Sequence, residues 1–488
     1  MRTLILLLCV AASTVTRAQT VISPTPAAQP APEPVPAHAP STLLPVPDAY
    51  PTGEAAPVSA SLPVSNTTSV PVRATGGEGL HFTLKQAEGY ALANHPQIAG
   101  ARLNAGAVRQ EITEARSQFF PQIYAVSDSV DAPPGARIAA SGGLNNPSVY
   151  SRQSDGATLS QLLFDFGHTY ELTEAAHFRA DAAADRLHVT QAVITLQVDR
   201  AYFDLLRAHA ILRVAQQTVN ERQLAFNQIS VLTKNQIKST LDASFAQVNL
   251  SEAKLLQIQG QSSVNDAEAE LSTSMGFPDT QHFVLTEEPL VLSLPSSPDA
   301  LVHLAMNQRP ELASLRSEQG AADRFARAQD ANRYPKVSAI AAAGVSPVSD
   351  TADVKRTYWA AGVNVTAPLF TGGDLEAQAR QARLLSDVAL QNFIDAQNTI
   401  SRDVRVAWQD AETARQRLDV TAELIQTANQ EEKLASARYR LGTSSIVEFV
   451  QAQLDATQAR LQDASARYDF QSGRALLNFT VGQNVVQP

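Results

Sequence analysis

The chain has 488 residues, a formal net charge of −10 and one cysteine. An acidic balance argues against nucleic-acid binding, and one cysteine excludes an internal disulfide framework or a thiolate metal cluster. Nowhere do apolar residues run to eighteen in a row, so no transmembrane helix is expected.

Residues 1–18 read as a secretory signal peptide. Arg2 is the positive end, Leu4 to Ala12 the apolar stretch, and Thr16, Arg17 and Ala18 a small-x-small cleavage site. Cleavage there would remove Cys9 together with Arg2 and Arg17, taking the charge from −10 to −12. Cys9 follows three leucines rather than a small residue, so it reads as part of the leader and not as a lipid anchor. An exported chain without a membrane helix is periplasmic, extracellular, or a β-barrel in an outer membrane. Residues 19–79 carry thirteen of the 27 prolines, no lysine, and arginine only at Arg73. Such a Pro/Ala-rich stretch favours extended polyproline conformations and cannot build a packed core, so a disordered linker is expected.

From about residue 95 the sequence occurs twice. His95, Pro96 and Gln97 return as Arg309, Pro310 and Glu311, and Phe120, Pro121 and Gln122 as Tyr334, Pro335 and Lys336, each offset by 214 positions. Leu163 and Phe164 return as Leu369 and Phe370, and Met275 and Gly276 as Val481 and Gly482, offset by 206. The shift of eight falls within 131–156, which is expected to be an exposed loop outside the shared frame. Repeat one is placed at 80–276, a connector at 277–307, repeat two at 308–482, and a tail at 483–488.

Each repeat has one order of elements. A helix of about twenty residues comes first (96–118 and 310–332), followed by two strands, a very long helix and a returning helix. Within the first long helix Ile194, Val198, Ala201, Leu205, Ala208, Leu212, Ala215 and Val219 alternate by four and three. Ile400, Val404, Ala407, Ala411, Ala414, Leu418, Thr421 and Ile425 do the same in the second. A period of 3.5 predicts coiled-coil packing, and the alanines predict close helix spacing. Neither Pro nor Gly interrupts 174–231 or 374–440. A helix of nearly sixty residues is about 90 Å long, more than one compact domain can bury. The returning helices (241–275 and 447–480) are shorter, so each opening helix is expected to stack end to end on a returning one.

In the last strand Trp359, Ala361, Val363, Val365, Ala367 and Leu369 alternate with Tyr358, Ala360, Gly362, Asn364, Thr366 and Pro368. Leu159 and Leu163 alternate with Thr158 and Ser160, and strands are also placed at 122–130 and 336–346. Ten-residue strands with one apolar and one polar face suit a transmembrane barrel. Four strands cannot close a conducting barrel, and lipid does not tolerate an open sheet edge. The barrel must therefore be shared between copies of the chain. The remaining chemistry is sparse: the nine histidines are not paired at ligand spacing, and glycine-rich phosphate loops and nucleophile elbows do not occur. The sequence therefore reads as non-enzymatic, with no cofactor and no metal.

These features, with Phe82 to Ala87 (FTLKQA), Asn94 to Gln97 (NHPQ), Phe120 to Gln122 (FPQ), Leu369 to Gly373 (LFTGG) and Tyr439 to Glu448 (YRLGTSSIVE), make the chain resemble the TolC-type outer-membrane efflux and secretion channels. The resemblance covers about residues 80–482. It implies an α+β membrane protein: a homotrimer with a shared twelve-stranded barrel in outer-membrane lipid and a helical periplasmic tunnel. It also implies a periplasmic adaptor and an inner-membrane pump as partners. A gate would lie where the long helices turn into the returning ones, at 234–242 and 440–448. The two acidic ring positions of the best-known members fall here on Glu448 and Gln451, and Asp242 is the repeat-one counterpart of Glu448. Three Glu448 carboxylates about one axis would repel one another and bind cations. The basic latch position falls on Ser444. The tips that adaptors contact correspond to Gly442 and Thr443, with Gln236 and Ile237 in repeat one. The alternative from another class is a periplasmic coiled-coil scaffold without a pore.

Overall fold

The computed structural model describes residues 79–131, 152–349 and 356–483; the expected leader, most of the expected linker and the loop tips lie outside the described residues. The chain opens with β1 (Leu80–Phe82) and α1 (Leu84–Asn94). Thr83 and Gln86 form a reciprocal capping box at the start of α1. The opening helix α2 (Pro96–Ser117) starts with Pro96 at its first position and the ring of His95 accepting from the Gln97 amide. Then follow β2 (Gln122–Val130), β3 (Arg152–Phe164), the 67-residue α3 (His168–Lys234) and the returning α4 (Thr240–Met275). After β4 (Phe283–Leu285) and α5 (Pro298–Gln308) the order repeats: α6 (Pro310–Ala331), β5 (Lys336–Ser349), β6 (Thr357–Thr366), the 67-residue α7 (Asp374–Arg440) and α8 (Ile446–Val481).

Three expectations change. β3 begins at Arg152, so the end of the expected 131–156 loop is strand. β6 ends at Thr366, so Ala367 and Leu369 lie beyond the strand they were assigned to. The connector holds elements of its own: β4 pairs in parallel with β1, and α5 packs on α7. Three-residue strands carry too little alternation to be seen in sequence.

The heptad seam is the core. Ile194, Val198, Ala201, Leu205, Ala208, Leu212 and Ala215 are all buried, as are Ile400, Val404, Ala407 and Ala411. α3 is covered on several sides, packing on α2, α4, α6 and α8; α7 packs on α5, α6 and α8. The end-to-end stacking of helices rests on two glycines. Gly276 and Gly482 close α4 and α8 at φ 86° and 88°, the left-handed conformation that glycine adopts without penalty. A Cβ on Gly276 would sit 3.0 Å from His95 Cα, and one on Gly482 would sit 3.2 Å from the Gln308 carbonyl. α4 thus abuts the start of α2, and α8 the start of α6.

The larger sheet has the order β2-β3-β5-β6, antiparallel throughout. Its register aligns apolar rows across four strands, such as Ile123, Leu159, Ala341 and Ala361, or Ala125, Ala157, Ala343 and Trp359. The other face carries rows such as Tyr124, Thr158, Ala342 and Ala360. The apolar face is bare, with Trp359 81% exposed. Among the described residues the two outer strands, β2 and β6, each pair on one side only.

Candidate functional site

The two turns joining long to returning helices share one geometry. After α3, Gln236 takes φ 58°; after α7, Gly442 takes φ 75°. In each turn an amide reaches back to the last helical turn, Ile237 to Leu232 at 2.9 Å and Thr443 to Arg438 at 3.0 Å. Both turns are left-handed C-caps, although only one has the glycine. A serine then caps each returning helix, Ser239 to the Leu241 amide and Ser445 to the Glu448 amide.

Tyr439, near the end of α7, gathers these turns. Its ring stacks on Phe449 of α8 at 5.4 Å between centroids, and Lys238 Nζ lies 4.0 Å from its ring centre. Its hydroxyl donates to Asp242 at 3.2 Å. Burial, followed by the Asp242 charge, pushes the Tyr439 phenol up to about 12, so it remains a donor at physiological pH. Beneath it Ile229, Ala246, Ala435, Ile446 and Ala452 form a local apolar cluster. Asp242 therefore does more than stabilise the first turn of α4: it ties the repeat-one turn to the repeat-two helix.

Glu448 does not stand alone. Arg438 Nη1 lies 2.9 Å from Glu448 Oε1 across the turn, with both side chains about half exposed. The expected basic position is Ser444, whose hydroxyl donates to its neighbour's carbonyl at 3.4 Å. Gln451 donates to Asp455 one turn further along α8, at 3.0 Å. Gly442, Thr443, Gln236 and Ile237 all sit on the turns. Ile237 and Leu441 offer exposed apolar side chains there. Sequence reasoning missed Arg438 and Tyr439 as site residues. The available signal was an arginine–tyrosine pair one helical turn before Gly442.

The outer-membrane efflux protein model matches residues 89–277 and 301–483. The chain belongs to the outer membrane efflux protein family. It is 24% identical over 384 residues to the antibiotic efflux pump outer membrane protein ArpC of Pseudomonas putida, covering 76% of this chain and 78% of that one. It is 23% identical over 422 residues to the outer membrane protein TolC of Salmonella enteritidis, covering 82% and 83%. Among solved structures it superposes on the outer-membrane channel OprN with a TM-score of 0.72 at 18% identity, covering 82% of this chain and 89% of that one. Members of the outer membrane efflux protein family are channel proteins of the outer membrane and not enzymes. In this member no described helix is long and apolar enough to cross a membrane. The exposed apolar sheet is the surface suited to lipid. Exposed aromatics gather where its strands meet the helices: Phe119, Phe120, Phe164, Phe166, Tyr334 and Phe370. Phe166 stacks on Tyr334 at 5.0 Å. Aromatic girdles of this kind mark the lipid–water boundary of membrane barrels. Among the described residues no group of His, Cys, Asp and Glu is arranged to hold a metal.

Proposed function

We propose that the protein is the outer-membrane conduit of a tripartite efflux or type I secretion system, three copies closing one twelve-stranded barrel and one helical tunnel. The observation that carries this reading is the four-stranded sheet with a bare apolar face and two unpaired edges. In lipid those edges must pair, and β6 of one copy meeting β2 of the next satisfies both without new structure. Exposed apolar residues on α4 (Val248, Leu255, Ile258) and on α7 (Val406, Val420, Leu434) offer matching open faces on the helical part. Resemblance to the family supplies the number three.

In this reading the turns form the periplasmic constriction. Glu448 and Gln451 line it, Asp242 and Tyr439 hold it closed, and Gly442, Thr443, Gln236 and Ile237 meet the adaptor. The conduit is passive, with energy supplied by an inner-membrane pump. Alkaline carbonate extraction separates it from a periplasmic scaffold. The channel stays with the outer membrane; release into the soluble fraction would support the scaffold.

A further inference from the structure

Above the turns, on the body side, lies a charged layer that the closing contacts do not use. Arg222 of α3 is 2% exposed, and arginine is almost never buried to that degree unless paired. Its Nη2 donates to the Gln453 backbone carbonyl at 2.7 Å and to Thr457 Oγ1 at 3.0 Å, both on α8. Its Nη1 lies 3.8 Å from Glu432 of α7. Glu432 is also held by Arg460 of α8 at 2.8 Å, and Arg460 reaches back to Glu221 of α3 at 3.0 Å. Asn249 of α4 donates to the Gln453 side chain at 3.3 Å. One layer therefore links all four helices of this section.

The surrounding packing explains why such a layer is needed. On the side of this layer away from the turns, the buried apolar residues between α7 and α8 are the small side chains Ala428, Ala456 and Ala459, with Ile425 partly buried against them. Alanine knobs leave little relief, so they tolerate axial sliding, whereas a buried polar group in a coiled coil fixes register at some cost in stability. Directly beside Arg222, a small cavity of about 10 Å³ lies among Ala225, Ile229, Ala246, Phe449 and Val450. Gln453 lies five residues after Glu448 and two after Gln451. Along a helix that is about 7 Å and 3 Å, so a shift at the anchor carries straight to both.

We propose that Arg222 is a positioning residue for the constriction: by gripping the α8 backbone at Gln453 it fixes the register and rotation of α8 against α3, and so the placement of Glu448 and Gln451. The inference rests on reading the turns as the constriction. The test compares full-length wild type, Arg222→Met, Arg222→Lys and Glu448→Ala, reconstituted in planar bilayers and titrated with a divalent cation. Melting and amide exchange of residues 446–452 are measured in parallel. Glu432 keeps its pairing with Arg460 at 2.8 Å, so Arg222→Met strands no buried carboxylate and is expected to fold and assemble. Its half-blocking concentration should nevertheless shift several-fold and its 446–452 amides exchange faster, with Arg222→Lys partly restoring both. A lower melting temperature with unchanged block and exchange would make Arg222 merely structural and overturn the proposal; so would no change at all. If Arg222→Met does not assemble, Thr457→Val, which removes one acceptor and no charge, is read in the same way. If Glu448→Ala leaves cation block unaltered, the constriction reading fails, and exchange at 446–452 alone decides the role of Arg222.

Discussion

At the scale of single residues, the proposed constriction makes charge pairing across the turn the term that sets what the tip presents to a solute. A ring of bare Glu448 carboxylates would attract cations strongly, but each is held by Arg438 of its own chain. An exposed pair of this kind is worth about 0–1 kcal/mol, so it tunes the field at the tip without locking the fold. Arg438→Ala is therefore expected to strengthen cation block, and Glu448→Ala to weaken it and favour anions. Bilayer currents under cation titration check both; equal block in the two variants would remove these residues from the pore. A second prediction concerns Asp199 of α3. Burial, then the nearby Glu88 charge and a hydrogen bond to Glu88, push its carboxyl up from 3.8 to about 8. In the unfolded chain it ionises near 3.8, so the folded state gains relative stability below that value and loses it progressively as pH rises toward 8. Asp199→Asn, which offers Glu88 a hydrogen without a titration, should flatten that dependence. At neutral pH it should raise the melting temperature. Parallel melting curves for variant and wild type from pH 4 to 8 would contradict the assignment.

At the scale of elements, the long helices were legible because their seam is strict. Residues such as Ile194, Val198 and Val404 repeat by three and four over many turns, and all are fully buried. The end-to-end stacking also followed from length alone. β1 and β4 were not legible, being three residues long; α5 was missed although Ser297 and Pro298 mark its start and Leu301, Leu304 and Ala305 have helical spacing. The Arg438–Glu448 pair and the Tyr439 cluster escaped because they form across a turn, between residues whose spacing in sequence carries no periodic signal. Glycines give the sharpest prediction at this scale. Gly442 has a left-handed φ but open space around it, so Gly442→Ala should cost only about 1 kcal/mol of backbone strain. Gly482 has the same conformation and a backbone carbonyl within 3.2 Å of an added Cβ, so Gly482→Ala should cost about 2–3 kcal/mol. Chemical unfolding of both variants checks the order; a reversal would mean that the α8-to-α6 junction is not tightly packed.

At the scale of the whole molecule, the need for partners follows from unpaired edges more than from any one residue. The Pro-rich composition of 19–79 is not one that builds a packed core, so deleting 25–70 is expected to leave the proposed trimer intact on native gels, and its loss would give that segment a structural role. The most direct test of the central claim is the copy number and sheet continuity of the protein extracted from outer membranes, read by electron cryomicroscopy. The expected result is three chains around one axis, with β6 of each hydrogen-bonded to β2 of the next in a single twelve-stranded barrel. A particle with any other symmetry, or one in which β2 and β6 stay unpaired, would contradict it.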